Sequence, residues 1–365
     1  MDIGRKLKFA REAIGYTLKK ASQESKIGES SISEFENSKR EPKFSQLSRL
    51  AEVYRKTIDI FLSDEPIIED TVLWRDKPDS AESKKTEAEF KQLCEQYRRL
   101  EVLTDEVKEC SLPKPDISKP EEFTFRQAEL FAKKAKKWFH LGDVPIASLK
   151  RLLEEVYYIK IFYLEYYGSS ISTVSNRFGP AILLNVKSKQ WRRSYDLAHE
   201  LFHILTWSIF RAQSAELSES EEKLADAFAS KFLMPEESIK ERVESSLNEQ
   251  DQISLDRLDD IAREFDVSLE AILYRVASIY RFEKPDTERY VNAAKAYLEL
   301  PKSRPSHKPN KLPERYCSLA IRALNEGKLS LMQFAKYMDM SYRQAGEYLA
   351  EDEDFKDEKI SISIA

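Results

Sequence analysis

The stretch LAHELFHILTW, residues 197–207, constrains the fold more than any other. As a helix it is apolar nearly all the way round through Leu197, Ala198, Leu201, Phe202, Ile204, Leu205 and Trp207. Such a helix has to lie inside a domain. It nevertheless carries His199, Glu200 and His203, two of the chain's four histidines among them. Buried imidazoles are costly without a hydrogen bond or a metal. Residues i and i+4 share one helical face, so the two rings can converge on a single ion, with Glu200 beside them.

In such an arrangement a zinc ion acidifies water and a neighbouring glutamate accepts the proton. A catalytic zinc takes a third protein ligand, and SESEEKLADAFASKFLMPEE downstream offers one. Here Glu222 and Asp226 are again four apart, opposite a packing face of Leu224, Ala225, Phe228, Ala229, Phe232 and Leu233. Glu222 is the expected third ligand, and Asp226 the expected acceptor for the outer N–H of one histidine. The competing reading makes Glu219, Glu221, Glu222 and Asp226 a solvated acidic run at a helix start, where carboxylates suit the dipole. No fourth protein ligand is evident, which favours an open position over a closed structural site. Tyr195, one turn before His199, is a weak candidate for stabilising an oxyanion.

The rest of the chain is mostly helical in its periodicity, and glycine is scarce, at 8 of 365 residues. Residues 159–187 break the trend with β-branched and aromatic residues around Gly168 and Gly179, predicting two or three strands. The fold class is therefore mainly α with a small β-sheet (α+β). Proline-rich stretches near 64–78, 111–123 and 300–314 mark boundaries. They divide the chain into a helical bundle at 1–65, a linker and connecting helix at 66–122, a metallopeptidase-like domain at 123–285 and a helical region at 286–365. The connecting helix carries a stripe of Phe90, Leu93, Tyr97, Leu100 and Leu103, read as connecting or dimerising, so a homodimer is possible. The last helices are expected to pack beside the metallopeptidase-like domain or to mediate assembly.

No apolar run is long enough for a signal or a membrane span, so the expectation is a cytoplasmic protein without a membrane partner. Cys94, Cys110 and Cys317 are too widely spaced for a zinc knuckle or disulfide framework and read as buried thiols. Neither His140 nor His307 is expected to be a ligand. The whole chain carries −5, yet residues 1–62 hold more Lys and Arg than Asp and Glu, as a small nucleic-acid-binding module would.

The order of strand, AHELFH helix, acidic gap and ExxADxFAxxFLMP block resembles the ImmA/IrrE family of zinc metallopeptidases. Phe228, Ala229, Leu233, Met234 and Pro235 match the second block, and the similarity covers roughly residues 125–285. The resemblance implies a zincin-like domain holding one Zn2+ on His199, His203 and Glu222, with Glu200 as the catalytic base. It also implies intracellular cleavage of a partner protein, a repressor or a toxin, that changes transcription. Phe202 stands where the family often has glycine, and its bulk is expected to narrow the cleft. The alternative is a transcription factor or antitoxin whose peptidase-like domain senses or binds a partner without turnover.

Residues 3–62 resemble an XRE/Cro-type helix-turn-helix, with Ile32, Ser33, Glu36 and Pro42 on the family pattern. That resemblance implies a double-stranded DNA operator as partner. It places Glu29, Ser30 and Glu34 against bases, with Ser33 on the same helix. Lys19, Lys20, Lys39, Arg40 and Lys43 lie at helix starts and the exit turn, suited to phosphate contacts. Two later helix pairs, 258–280 and 329–349, echo the spacing without a basic surface.

Overall fold

The computed structural model describes residues 2–64, 70–78, 81–109, 111–212, 214, 216–298 and 308–357. Cys110 and His307 lie outside them. In chain order the helices are α1 (Ile3–Ala13), α2 (Leu18–Ser25), α3 (Glu29–Glu36), α4 (Phe44–Val53) and α5 (Ile58–Leu62). Strand β1 (Leu73–Arg75) and the long α6 (Ala81–Leu103) follow. Next come α7 (Phe125–Trp138), α8 (Ile146–Glu155), β2 (Lys160–Leu164), β3 (Ser170–Ser175) and β4 (Gly179–Asn185). The chain continues with α9 (Gln190–Phe210), α10 (Glu219–Leu233), α11 (Glu236–Glu244), α12 (Leu255–Glu264), α13 (Leu269–Tyr280) and α14 (Lys284–Leu298). It finishes with α15 (Glu314–Asn325), α16 (Leu331–Tyr337) and α17 (Tyr342–Asp357). No described helix is long and apolar enough to cross a membrane.

The first five helices form a bundle around Leu7, Ala10, Ile32, Phe35, Leu50 and Tyr54. Asp2 and Thr17 cap α1 and α2 through their side chains, accepting from the amides of Arg5 and Lys20. Gly4 lets α1 and α3 approach: a Cβ there would stand 2.3 Å from the Phe35 carbonyl oxygen. Arg11 locks the same pair with a buried fork onto Glu36, at 2.6 and 2.8 Å. Glu36 therefore holds the bundle together.

The four-stranded sheet has the order β1-β3-β4-β2, with β2 parallel to β4 and the other pairs antiparallel. Its two faces feed two separate cores, so IKIFYL and AILLNV are apolar at successive positions. Ile161, Tyr163, Ile182 and Leu184 face α7 to α14. Phe162, Leu164, Ala181 and Leu183 face α6 and the C-terminal helices.

Two sequence expectations are corrected here. The stripe on α6 is neither a bare connector nor a dimer face: Phe90, Leu93, Tyr97 and Leu100 are buried within the chain, against the sheet and Tyr316, Leu319 and Ala320 of α15. The stretch near 64–78, read as a boundary, contains β1, whose Leu73, Trp74 and Arg75 pair with Ser172, Ile171 and Ser170. A three-residue strand has too little local pattern to be seen; its pairing with β3 makes it one.

A buried ionic cluster joins these layers. Glu101 of α6 accepts from Lys160 of β2 at 3.2 Å and from Arg315 of α15 at 2.7 Å. Removing one member leaves a charge without its partner, which is the costly outcome for buried ions. The N-terminal bundle meets α6 through Ala88, which packs in the bundle core, and meets α16 through Lys336–Glu52 at 2.8 Å.

Glu154, at the end of α8, is 6% exposed, and its Oε1 has no hydrogen-bond partner. Burial pushes its carboxyl up to about 7, with Lys150 only partly countering. The folded state thus holds this proton more tightly than the unfolded chain. That contribution to stability is complete below the unfolded value of 4.5 and is lost as pH rises through about 7. Glu154→Gln is predicted to stabilise the protein by about 1–3 kcal/mol at pH 8 and to change little at pH 4, read from urea midpoints at the two pH values.

Candidate metal centre

Helix α9 leaves β4 through a short turn and packs on β3 and β4, with α10 alongside. Every residue from Asp196 to Thr206 is buried. On α9, His199 and His203 turn their Nε2 atoms toward each other at 3.2 Å. Glu222 Oε1, in the first turn of α10, stands 3.4 Å from His199 Nε2 and 3.2 Å from His203 Nε2. Ser218 opens α10 by accepting from the Glu221 amide, which sets the pitch at which Glu222 meets the two rings.

Both outer ring nitrogens are held by carboxylates. Asp226 Oδ1 lies 2.9 Å from His199 Nδ1, and Glu221 Oε1 lies 3.1 Å from His203 Nδ1. With each Nδ1–H donated outward, the two Nε2 lone pairs and the Glu222 oxygen all point at one spot. Three lone pairs facing one another need a cation or a proton between them. Ligand bonds of 2.0–2.1 Å in a tetrahedron give ligand–ligand edges of about 3.3 Å, which the observed separations match. The three ligand atoms form the one metal-capable cluster among the described residues. Without a metal the same carboxylates capture a proton. Burial pulls the His203 imidazolium down, but Glu221 and Glu222 outweigh it and raise the group to about 9. Burial raises Glu222 while the two histidines pull it further the other way, well below the usual carboxylate range.

Glu200 is 1% exposed. Its Oε1 accepts from the Ser170 hydroxyl at 2.6 Å, and its Oε2 is buried with no hydrogen-bond partner. A carboxylate pinned by one oxygen and bare on the other is oriented to exchange a proton.

Arg75 of β1 donates to Asp226 at 2.8 Å and to Asp196 at 3.0 Å, and its guanidinium lies over the Tyr195 ring. Burial lifts the Asp196 carboxyl to about 6, with Arg192 and Arg75 holding it from rising further. Sequence reasoning missed Glu221, Ser170, Arg75 and Asp196. Glu221 had a signal, since a second histidine needs a second outer acceptor. Ser170 and Arg75 arrive from strands distant in the chain and had none, and Asp196, though on α9 itself, is set apart only by its contact with Arg75.

Two expectations about neighbouring residues are corrected. Phe202 does not narrow a cleft: it is fully buried on the core side of α9, packed among Phe123, Phe210 and Phe228. Tyr195 is not free for an oxyanion, because its hydroxyl donates to the Asp226 carbonyl at 3.0 Å. His140 is exposed, Cys94 is buried and Cys317 is partly exposed.

In the N-terminal bundle, α3 leaves Glu29 and Ser30 exposed and Ser33 and Glu34 half-exposed. Lys19, Lys39 and Lys43 are exposed nearby in sequence. Lys20 is paired with Glu24 at 2.6 Å, and Arg40 with Glu34 at 3.5 Å while stacking on Phe35.

Comparison with known proteins finds matches to two segments of the chain. Residues 154–277 fit a peptidase family model described as an IrrE N-terminal-like domain, and residues 7–61 fit one described as helix-turn-helix. The HTH-type transcriptional regulator ImmR of Bacillus subtilis (strain 168) is 33% identical over 67 residues, 18% of this chain and 53% of that protein. The chain thus spans about half the length of that curated relative. A solved Mycobacterium tuberculosis transcriptional regulator overlaps 51% of each chain at 14% identity, with a TM-score of 0.31 too low to argue from. The chain therefore carries an XRE-type helix-turn-helix at its N-terminus and an IrrE-like peptidase-family domain after it.

The position of Phe202 gives a test. Phe202→Ala is predicted to cost about 3–5 kcal/mol of stability in urea denaturation, as a buried aromatic should. A loss under about 1 kcal/mol would place the side chain in the cleft instead.

Proposed function

We propose that this chain is a cytoplasmic DNA-binding transcriptional regulator whose IrrE-like domain is a zinc-dependent endopeptidase cleaving a partner protein, a repressor or a toxin. One observation carries the reading. Three ligand atoms converge at metal-site spacing, and the unpartnered oxygen of Glu200 lies on the same helix, one residue from His199.

In this reading His199, His203 and Glu222 hold one Zn2+. When bound, the metal supplies Lewis acidity to the scissile carbonyl and to the attacking water. The residues of the chain do the rest. Asp226 and Glu221 keep both Nδ1–H groups engaged, so that each Nε2 presents a lone pair. Ser170 fixes one oxygen of Glu200, leaving Oε2 to take a proton from water and return it to the departing amine. Arg75 steadies Asp226 from β1. Burial of His199, His203, Glu200 and Glu221 strengthens the interactions these residues make.

The helix-turn-helix supports DNA binding through α3, with Glu29, Ser30, Ser33 and Glu34 on the base-reading helix. Lys19, Lys20, Lys39, Arg40 and Lys43 are the phosphate contacts.

Incubating the protein with the repressor or toxin encoded beside it tests the enzymatic reading. Wild type should cleave, and chelator should stop it. Glu200→Gln should lower the rate at least about a hundredfold while retaining its zinc, whereas His203→Ala should purify with little. Cleavage by Glu200→Gln at the wild-type rate would refute turnover at this site. For the DNA reading, Lys39→Ala and Lys43→Ala should each weaken operator binding and reduce the salt slope of log K by about 1. An unchanged slope in both variants would remove these lysines from the interface.

A further inference from the structure

A cavity of about 290 Å³ opens between α7, the junction of α10 with α11, and α13. Its chemistry is set by Arg275. That residue is 4% exposed, lines the cavity, and donates from Nε to the Met234 carbonyl at 2.8 Å. Among the described residues its terminal Nη1 and Nη2 have neither a hydrogen-bond acceptor nor a carboxylate within ion-pair distance. Burial pulls its guanidinium pKa down, and the glutamates near it only partly restore it. A largely buried guanidinium whose terminal nitrogens contact no carboxylate is costly, and proteins rarely leave one so.

The surroundings add positive potential. Lys136 lines the cavity and has no ion pair among the described residues. Lys133 and Lys231 also line it. The carboxylates on the rim are already engaged: Glu129 with Lys231 at 2.9 Å, Glu236 with Lys240 at 2.7 Å and Glu237 with Lys133 at 3.7 Å. The nine-residue helix α11 begins here with Pro235 as its N-cap, and no side chain caps its first amides. Uncapped amides at a helix start carry partial positive charge and favour an oxyanion.

We propose that this cavity binds the oxyanion group, a phosphate or a carboxylate, of a small ligand, through Arg275, Lys136 and the first amides of α11. The site is built from residues other than those of the metal centre, so it stands or falls independently of peptidase activity.

Thermal melting and titration calorimetry on the full chain test it, with inorganic phosphate, pyrophosphate and succinate as probes against sodium chloride at matched ionic strength. At least one probe should raise the melting temperature and bind with measurable heat; comparing pyrophosphate with succinate separates phosphate from carboxylate ligands. Arg275→Gln and Lys136→Glu should each weaken that binding at least about tenfold. Lys136→Glu, on a partly exposed position, decides the matter if Arg275→Gln does not fold. No stabilisation by any probe overturns the proposal, as does binding that survives the substitutions unchanged.

Discussion

Two imidazoles on one buried face of α9 must each give away an N–H, and both acceptors come from α10. Asp226 takes one and Glu221 the other. This carboxylate clasp fixes how far along α9 the second helix can slide, since a shift of one residue on α10 would swing all three carboxylates off their partners. Glu222 sits between the two acceptors in sequence and thereby falls between the two inner nitrogens in space. The aromatic packing of Phe202, Phe228 and Phe232 supplies the adhesion between the helices. The hydrogen bonds supply the alignment.

The sheet has a comparable double duty. Its alternating side chains anchor α9 on one face and the α6–α15 layer on the other. The second layer is closed by ions: Glu101 gathers Lys160 and Arg315, while the Tyr97 ring lies under both cations. The chain thus returns after residue 308 to complete a core begun before residue 100. The candidate metal centre draws on β1, β3, α9 and α10, so the region before residue 123 contributes Arg75 directly.

How much of this could be read from the amino-acid sequence depends on range. The grouping of His199, His203, Glu222 and Asp226 follows from i,i+4 repeats on two adjacent helices, each legible within a dozen residues. The bundle of α1 to α5 was legible for the same reason. Arg75 and Ser170 were not, because each meets its carboxylate only through strand pairing distant in sequence. Phe202 was misread because the family pattern marks its position in the motif without saying which side of the buried helix its ring faces. The stripe on α6 was seen, but periodicity shows only that an apolar face needs cover; it does not say whether the cover lies in the same chain.

Strand β1 ties the linker after the N-terminal bundle to the carboxylates behind the candidate metal site. Side chains along a strand alternate between faces: Arg75 reaches toward α9 and α10, and Trp74 packs in the opposite core and donates to Glu87 of α6. A slip of one residue against β3 would exchange them, placing an indole over Asp226 and a guanidinium in an apolar core. Strand register moves only in whole residues. The mechanical link between the two domains is therefore a detent, seated or unseated, with no graded positions between.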